Sequence, residues 1–355
     1  MIKDKVDLFI ENSSSFHEDG KISDLDNKHK DVLERAYKQF SLGLNFENLK
    51  NWSGQSDMTV PAQFSWLQFK HRGIKAFPIF LFKLIFRLRS NQFIKSSLLD
   101  DISIIEREEG GCELLAENPV HLTPGSNLFY QYKNTTVNAR WLRYLYILQR
   151  IKSYNLLGGK KVWIDVGSYY GGLAGLVKKY FPETKIILVD FHHQLCRSYV
   201  YLSELYPEVK HIFPDQISDY PKLNEIPDGS IAYVPVSLYK DIQSTKVDLF
   251  TNSFSFGEMR REMFDSYLSS NLYQNANFIY LINRFVSAPF FEPTYDSDLN
   301  ILDYALEDKR LVYFDIFPMH FYMLIKRKVL GSKEFRNVSS PYFEAIINQE
   351  RNYEE

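Results

Sequence analysis

The segment Asp165-Val166-Gly167-Ser168-Tyr169-Tyr170-Gly171-Gly172 stands between an apolar run and an amphipathic one, and its residue types point to a ligand. Gly167 lets the chain turn sharply where a Cβ would be penalised. Gly171 and Gly172 open the following segment, so a ligand can approach the N–H groups and positive end of a helix. Asp190 closes the next apolar run, 25 residues beyond Asp165, where an open α/β sheet places a carboxylate for a ribose diol. Asp215 lies another 25 residues on, placed to accept from an exocyclic adenine amine. Three acids at three successive strand ends describe a nucleoside-shaped site. Glycine turns and strand-end acids also occur in α/β proteins without such a site, and Asp215 alone carries the least weight.

The fingerprint of nicotinamide dinucleotides is G-x-G-x-x-G, and Tyr169 stands in the place of its second glycine. A diphosphate would meet that side chain and be repelled by Asp165. An ammonium group suits Asp165 better, so the expected ligand is a nucleoside bearing an amino acid.

Alternating strands and helices are needed to position these residues. KVWIDVG (161–167) and TKIILVD (184–190) are continuous apolar runs, as strands buried on both faces are. GGLAGLVKKYF (171–181) and HHQLCRSYVYLSELYP (192–207) read as helices, and VKHIF (209–213) as a short third strand. There follow VDLFTNS (247–253), a helix over 258–269, NFIYLINRF (277–285), LVYFDIF (311–317) and HFYMLIKRK (320–328). Such alternation builds a parallel sheet through crossover units. Pro318-Met319 alone separates the last two strands, which predicts an antiparallel hairpin closing six parallel strands. Upstream, ARWLRYLYILQRIKSYNLL (139–157) is a helix stopped by Gly158-Gly159, and 26–44 has helical spacing. The expected organisation is a mainly helical region over 1–138 that shapes an acceptor pocket or oligomer contacts, a Rossmann-like domain over 139–330 and a tail over 331–355.

Composition narrows the class. The 355 residues are 45% hydrophobic and 24% charged, ordinary for a folded chain, and the net charge of -2 gives no global field for nucleic acid. Aromatic residues reach 16%, with 28 Phe and 24 Tyr, which fits a protein that stacks on sugars or other flat ligands. The two cysteines, Cys112 and Cys196, make no disulfide framework or zinc motif. The opening residues lack a signal peptide pattern and no apolar run is long enough to span a bilayer, so a cytoplasmic protein is expected. KHRGIKAFPIFLFKLIFRLR (70–89) carries six Lys or Arg and no acid. It reads first as a buried helix with snorkelling cations and second as a weak membrane-surface contact.

With these motifs in place, residues 139–328 resemble the class I S-adenosylmethionine-dependent methyltransferases. DVGSYYGGLA, the long helix after VD, and NSFSFGEM resemble more narrowly the sugar O-methyltransferases of bacterial glycan biosynthesis. The resemblance implies S-adenosylmethionine as cofactor, a mostly parallel sheet and S-adenosylhomocysteine as product. By position it implies Asp165, Gly167, Ser168 and Gly171 at the methionine moiety, with Tyr169 altering its pose. Asp190 falls to the ribose, Phe191 to the adenine face and Asp215 to the adenine amine.

Methyl transfer to a hydroxyl needs an oxygen held in line, a seat for the sulfonium and a base. Tyr169, Tyr170, Phe254 and Phe256 offer ring faces to the cation. Glu258 is the first candidate base, although Ser255-x-x-Glu258 is equally a capping-box pattern. His320 is the second, with Asp315 to orient its imidazole, against the plainer reading of a histidine bonded within the hairpin. His192 and His193 rank third. Asn252 and Ser253 line the site, and Arg284 either clamps an anionic group of the acceptor or forms a surface ion pair. The loop 286–303 is long enough to act as a substrate lid, and Asp296-x-Asp298 within it reads as a solvated turn, so no metal is expected. Two rival readings are a nicotinamide-dependent sugar oxidoreductase or epimerase, and a non-catalytic adaptor of the same fold. Tyr169 opposes the first, as does the lack of a Tyr-x-x-x-Lys pair in the helix over 258–269.

Overall fold

The computed structural model describes residues 2–13, 96–120, 130–220, 222–240, 242, 243, 246–259, 261–286, 299–320, 322–329, 332–339 and 342–349. The expected helices over 26–44 and 70–89, and most of the loop 286–303 with Asp296 and Asp298, lie outside them. The chain forms two compact units, Met1–Asn48 with Tyr146–Phe317 and Pro341–Glu355, and Leu49–Leu145 with Pro318–Ser340. These units do not follow the expected division at 138/139 and 330/331: the N-terminal helix α1 (Ile2–Glu11) belongs with the sheet, and of the segment read as a tail Pro341–Glu355 belongs with the sheet and 331–340 with the other unit.

In the second unit, α2 (96–107) and α3 (Gly111–Glu117) precede a hairpin of β1 (Tyr130–Tyr132) and β2 (Thr135–Val137) that the sequence reading did not mark. Asn138 then caps α4 (Ala139–Ser153), its side chain accepting the Trp141 N–H at 2.8 Å. The chain passes along α4 from this unit into the other.

The sheet of the first unit is where the candidate residues sit. Its strands are β3 (Val162–Val166), β4 (Lys185–Asp190), β5 (His211–Ile212), β6 (Ile231–Pro235), β7 (Val247–Ser253), β8 (Ala276–Arg284), β9 (Leu311–Ile316) and β12 (Tyr342–Asn348), in the order β5-β6-β4-β3-β7-β8-β12-β9. Seven strands run one way and β12 alone runs against its neighbours β8 and β9. The α/β architecture expected from the sequence is therefore present: a mostly parallel sheet with one reversed strand next to its C-terminal edge. Every residue of β3, β4 and β6 is buried, because helices cover both faces. Against one face pack Phe264 and Tyr267 of α7 (Arg261–Leu268) and Leu272 and Tyr273 of α8 (Asn271–Gln274). α5 (Gly172–Tyr180) and α6 (His192–Leu205) stop just before Pro182 and Pro207, which cannot continue a helix.

Three expectations are corrected. The hairpin partner of β9 is β12, and the strand expected in that place is β10 (Tyr322–Val329), which pairs with β11 (Ser332–Ser339) in a separate two-stranded sheet. Tight hairpin turns need positive φ, and Pro318 is locked near −65°. A strand missed by the sequence reading, β6, lies beside β4, and the expected third strand shrinks to the two residues of β5 beyond it. The helix expected over 258–269 begins at Arg261, after a single tight turn over Phe256–Glu258.

Candidate functional site

The loop from β3 to α5 is turned by three residues with positive φ, Gly167 (79°), Tyr169 (56°) and Gly171 (80°). A Cβ on Gly167 would lie against Ser255 Oγ and 2.8 Å from Ser255 Cβ, and one on Gly171 would lie 2.9 Å from Leu202 Cδ1. Both positions need glycine for conformation and for room. Tyr169 adopts the left-handed region at a cost of about 1–2 kcal/mol, and three contacts hold it there. Its N–H donates to Asp190 Oδ2 at 2.7 Å, its carbonyl accepts the Ser198 hydroxyl at 2.8 Å, and the Arg197 guanidinium lies 4.8 Å from its ring centre.

Asp165 and Asp190 are buried near the carboxyl ends of the adjacent strands β3 and β4. Burial pushes the Asp165 carboxyl up to about 7, opposed by the Thr251 hydroxyl that donates to it at 2.7 Å and aided by the charge of Asp190. Burial likewise pushes Asp190 up to about 7, against the N–H groups of Phe191 and Tyr169 and the charge of Arg197. Each Asp190 oxygen accepts one backbone N–H and keeps capacity for a second donor. In the loop that joins Asp165 to α5, the Ser168 hydroxyl is buried without a hydrogen-bond partner among the described residues. An orphaned buried hydroxyl costs about 1–3 kcal/mol, a cost that a polar ligand at the loop would remove. Ser168→Ala is accordingly expected to leave unfolding stability unchanged or slightly raised while weakening nucleoside binding about fivefold; denaturation and titration of the variant measure the two effects.

The turn after β7 is built by two asparagines. Asn252 Nδ2 donates to Val166 O at 2.9 Å and to Ser255 Oγ at 2.6 Å, and its Oδ1 accepts the Phe256 N–H at 3.0 Å. Asn283 on β8 donates to Asn252 Oδ1 at 3.0 Å and accepts the Gly257 N–H. Asn252 thus fixes the loop geometry, and Ser253, next to it, is half-buried at the strand tip. Of the four rings offered to a cation, Tyr170 and Phe256 are fully buried, whereas Tyr169 and Phe254 are only partly so.

The capping box does not form, since Ser255 makes no side-chain cap. Glu258 pairs instead with Arg284, Oε1 to Nη2 at 3.0 Å, and Arg284 Nε also donates to the Tyr342 hydroxyl at 3.0 Å. Arg284 is 3% exposed and Glu258 42%, so a buried guanidinium anchors an exposed carboxylate beyond the end of β7. His320 lies in the second unit, and the carboxylate that orients it is Asp101, not Asp315. Asp101 Oδ1 accepts both the His320 N–H (2.9 Å) and a hydrogen bond with Nδ1 (2.8 Å). That bond holds the imidazole above its ordinary value, while burial raises Asp101. Asp315 stays on the exposed strand β9 and accepts the Ile316 N–H. His192 is buried, its Nε2 2.6 Å from the Ser13 hydroxyl and its ring against Phe9 of α1. Asp215 follows β5, and the end of β6 lies between it and Asp190, so the third strand end beside Asp190 is Pro235. Asp215 donates its N–H to the Asn12 carbonyl. Asn283 and Asp101 were not singled out from the sequence.

Among the described residues no three His, Cys, Asp or Glu gather as a metal site, and no helix is long and apolar enough to cross a membrane. No family model matches the chain, and no curated protein matches it. Solved structures that resemble it include magnesium protoporphyrin IX methyltransferase from Synechocystis PCC 6803 with bound SAH (10% identity, 59% of this chain and 84% of that one, TM-score 0.37). A SAM-dependent methyltransferase from Aquifex aeolicus (13%, 56% and 87%, 0.34) and TehB from Haemophilus influenzae (12%, 62% and 64%, 0.38) are similar to the same extent. At these scores the architecture is defined by the chain's own strand order and directions, not by the likeness.

Proposed function

We propose that the protein is an S-adenosylmethionine-dependent methyltransferase acting on a sugar hydroxyl of a glycan or activated-sugar precursor. The observation that carries the cofactor is the orphaned Ser168 hydroxyl in a tight loop flanked by two buried carboxyls. Acids raised to about 7 suit a cationic amino-acid nucleoside, which draws them into the ionised form, and repel a diphosphate. Asp165, Ser168 and the loop around Gly167 and Gly171 hold the amino-acid end. Asp190 would take the ribose hydroxyls, and Phe191 would stack on the adenine. The bound cofactor supplies an electrophilic methyl group on sulfur. The chain's own part is to position the acceptor oxygen and take its proton. The two proposed proton acceptors are Glu258, paired with Arg284 in the unit that carries the loop, and His320, paired with Asp101 in the other unit. The sugar acceptor rests on the motif resemblance and on the aromatic content.

Labelled cofactor and a panel of cell-envelope glycan precursors, read by mass spectrometry, test this reading. The expected product carries one methyl ether. Glu258→Gln and His320→Ala should both bind S-adenosylhomocysteine normally, and the variant lacking the true base should lose about 10²–10⁴-fold in turnover. Normal turnover in both variants would reject the proton-acceptor assignment, and tight binding of NAD without S-adenosylhomocysteine would reject the function.

A further inference from the structure

The two edges of the large sheet are finished differently. At one, β5 has only two residues, and the segment after it is tied to the end of α1 by the Asp215 N–H on Asn12 O and by Phe9 of α1 against Phe213. At the other, β9 runs for six residues, and no described strand lies beyond it. Leu311, Val312, Phe314 and Ile316 on β9 are exposed by 40%, 43%, 43% and 61%. Edge strands in monomers are normally shortened, charged or covered, and a row of large apolar side chains on a long edge marks an interaction surface. A β-bulge lies at the Leu311 end, opposite Ile346 and Ile347, and leaves Tyr313–Ile316 in regular pairing geometry.

The charges of this strand say what pairs with it. Arg310 precedes it and Asp315 stands near its far end, both exposed. Antiparallel pairing of the strand with itself about a two-fold axis brings the Arg310 end of each copy to the Asp315 end of the other. A parallel partner strand of the same sequence would set like charges together. We infer that β9 is the interface of a two-fold dimer in which the sheets of two copies join edge to edge. The contact is made by backbone pairing, by the apolar row and by two reciprocal Arg310–Asp315 pairs. It stands apart from the cofactor reading, since it uses no residue of the loop 167–171.

Sedimentation equilibrium of the full chain tests it. The wild type is expected to be dimeric, Phe314→Lys monomeric, and Arg310→Glu and Asp315→Arg each weaker in association by about tenfold or more. The double variant Arg310→Glu/Asp315→Arg should return to within about threefold of the wild type, because the swap restores each pair. Circular dichroism of each variant separates loss of association from loss of fold. A monomeric wild type would overturn the inference, whether the edge is covered by another segment of this chain or by a different protein. A dimer untouched by Phe314→Lys, or a double variant no better than its parents, would overturn it as well.

Discussion

Gly167→Ala is expected to destabilise the protein by about 3 kcal/mol and to abolish nucleoside binding. The position combines a φ of 79° with a space already filled by Ser255. An alanine there first incurs the left-handed penalty, then displaces the Ser255 side chain, whose Oγ accepts a 2.6 Å bond from Asn252 Nδ2. Asn252 also fixes Val166 and Phe256, so the disturbance spreads into both loops of the candidate site. Gly159 is the control. It too has a positive φ, 62°, but a Cβ there meets nothing within 4 Å, so Gly159→Ala should cost only the conformational share, about 1 kcal/mol, and leave binding intact. Chemical denaturation and ligand titration of the two variants measure the contrast; equal costs would show that the contact with Ser255 is not what requires glycine at 167.

Glu344→Ala is expected to destabilise by about 3–5 kcal/mol without touching the candidate site. Glu344 sits on the reversed strand β12 and is wholly buried. Its carboxylate accepts the hydroxyls of Tyr146 at 2.7 Å and Tyr280 at 2.6 Å, with Arg150 Nε 3.7 Å away. Arg150 in turn donates to the Tyr146 hydroxyl at 2.8 Å. Removing the carboxylate leaves a largely buried guanidinium without its counter-charge and two tyrosine hydroxyls without their acceptor. Glu344→Gln keeps one acceptor and should cost less than the alanine. Thermal or urea unfolding gives the values, and ligand affinity measured well below the transition should not change. A loss of affinity in a fully folded Glu344→Gln variant would give this residue a role in binding that the structure does not show.

Much of the scaffold is legible because buried parallel strands have a plain signature. KVWIDVG, TKIILVD and VDLFTNS are short, mainly apolar runs that alternate with helical segments, and β3, β4 and β7 fall within them. The loop glycines and the strand-end place of Asp190 are legible for the same reason, since each stands where an apolar run ends or the next helix opens. β6 escaped because five residues ended by a proline look like a loop, although the Asp228-Gly229 turn before it, with Gly229 at a φ of 71°, was a usable signal. β12 escaped because a glutamate interrupts its apolar run, and only the tyrosines of distant elements explain that glutamate. The hairpin was misassigned by sequence proximity, which Pro318 should have opposed. Side-chain partners were the least legible. Asp101 meets His320 across 219 positions and Asn283 meets Asn252 across 31, and no spacing rule predicts either.

On the proposed function, the loop over 167–171, with Asp165 and Asp190, binds an adenosine-linked amino acid. Calorimetric titration of the protein with S-adenosylhomocysteine at pH 6 and pH 8, in buffers of different ionisation enthalpy, tests it most directly. Because the Asp165 carboxyl is pushed up to about 7 and the ammonium group of the ligand favours its ionised form, the dissociation constant should fall about tenfold from pH 6 to pH 8. Protons should be released into the buffer on binding. Micromolar binding with this pH dependence, lost in Asp190→Ala, is the result expected. No heat of binding at either pH, or binding that Asp190→Ala leaves unchanged, would contradict the account.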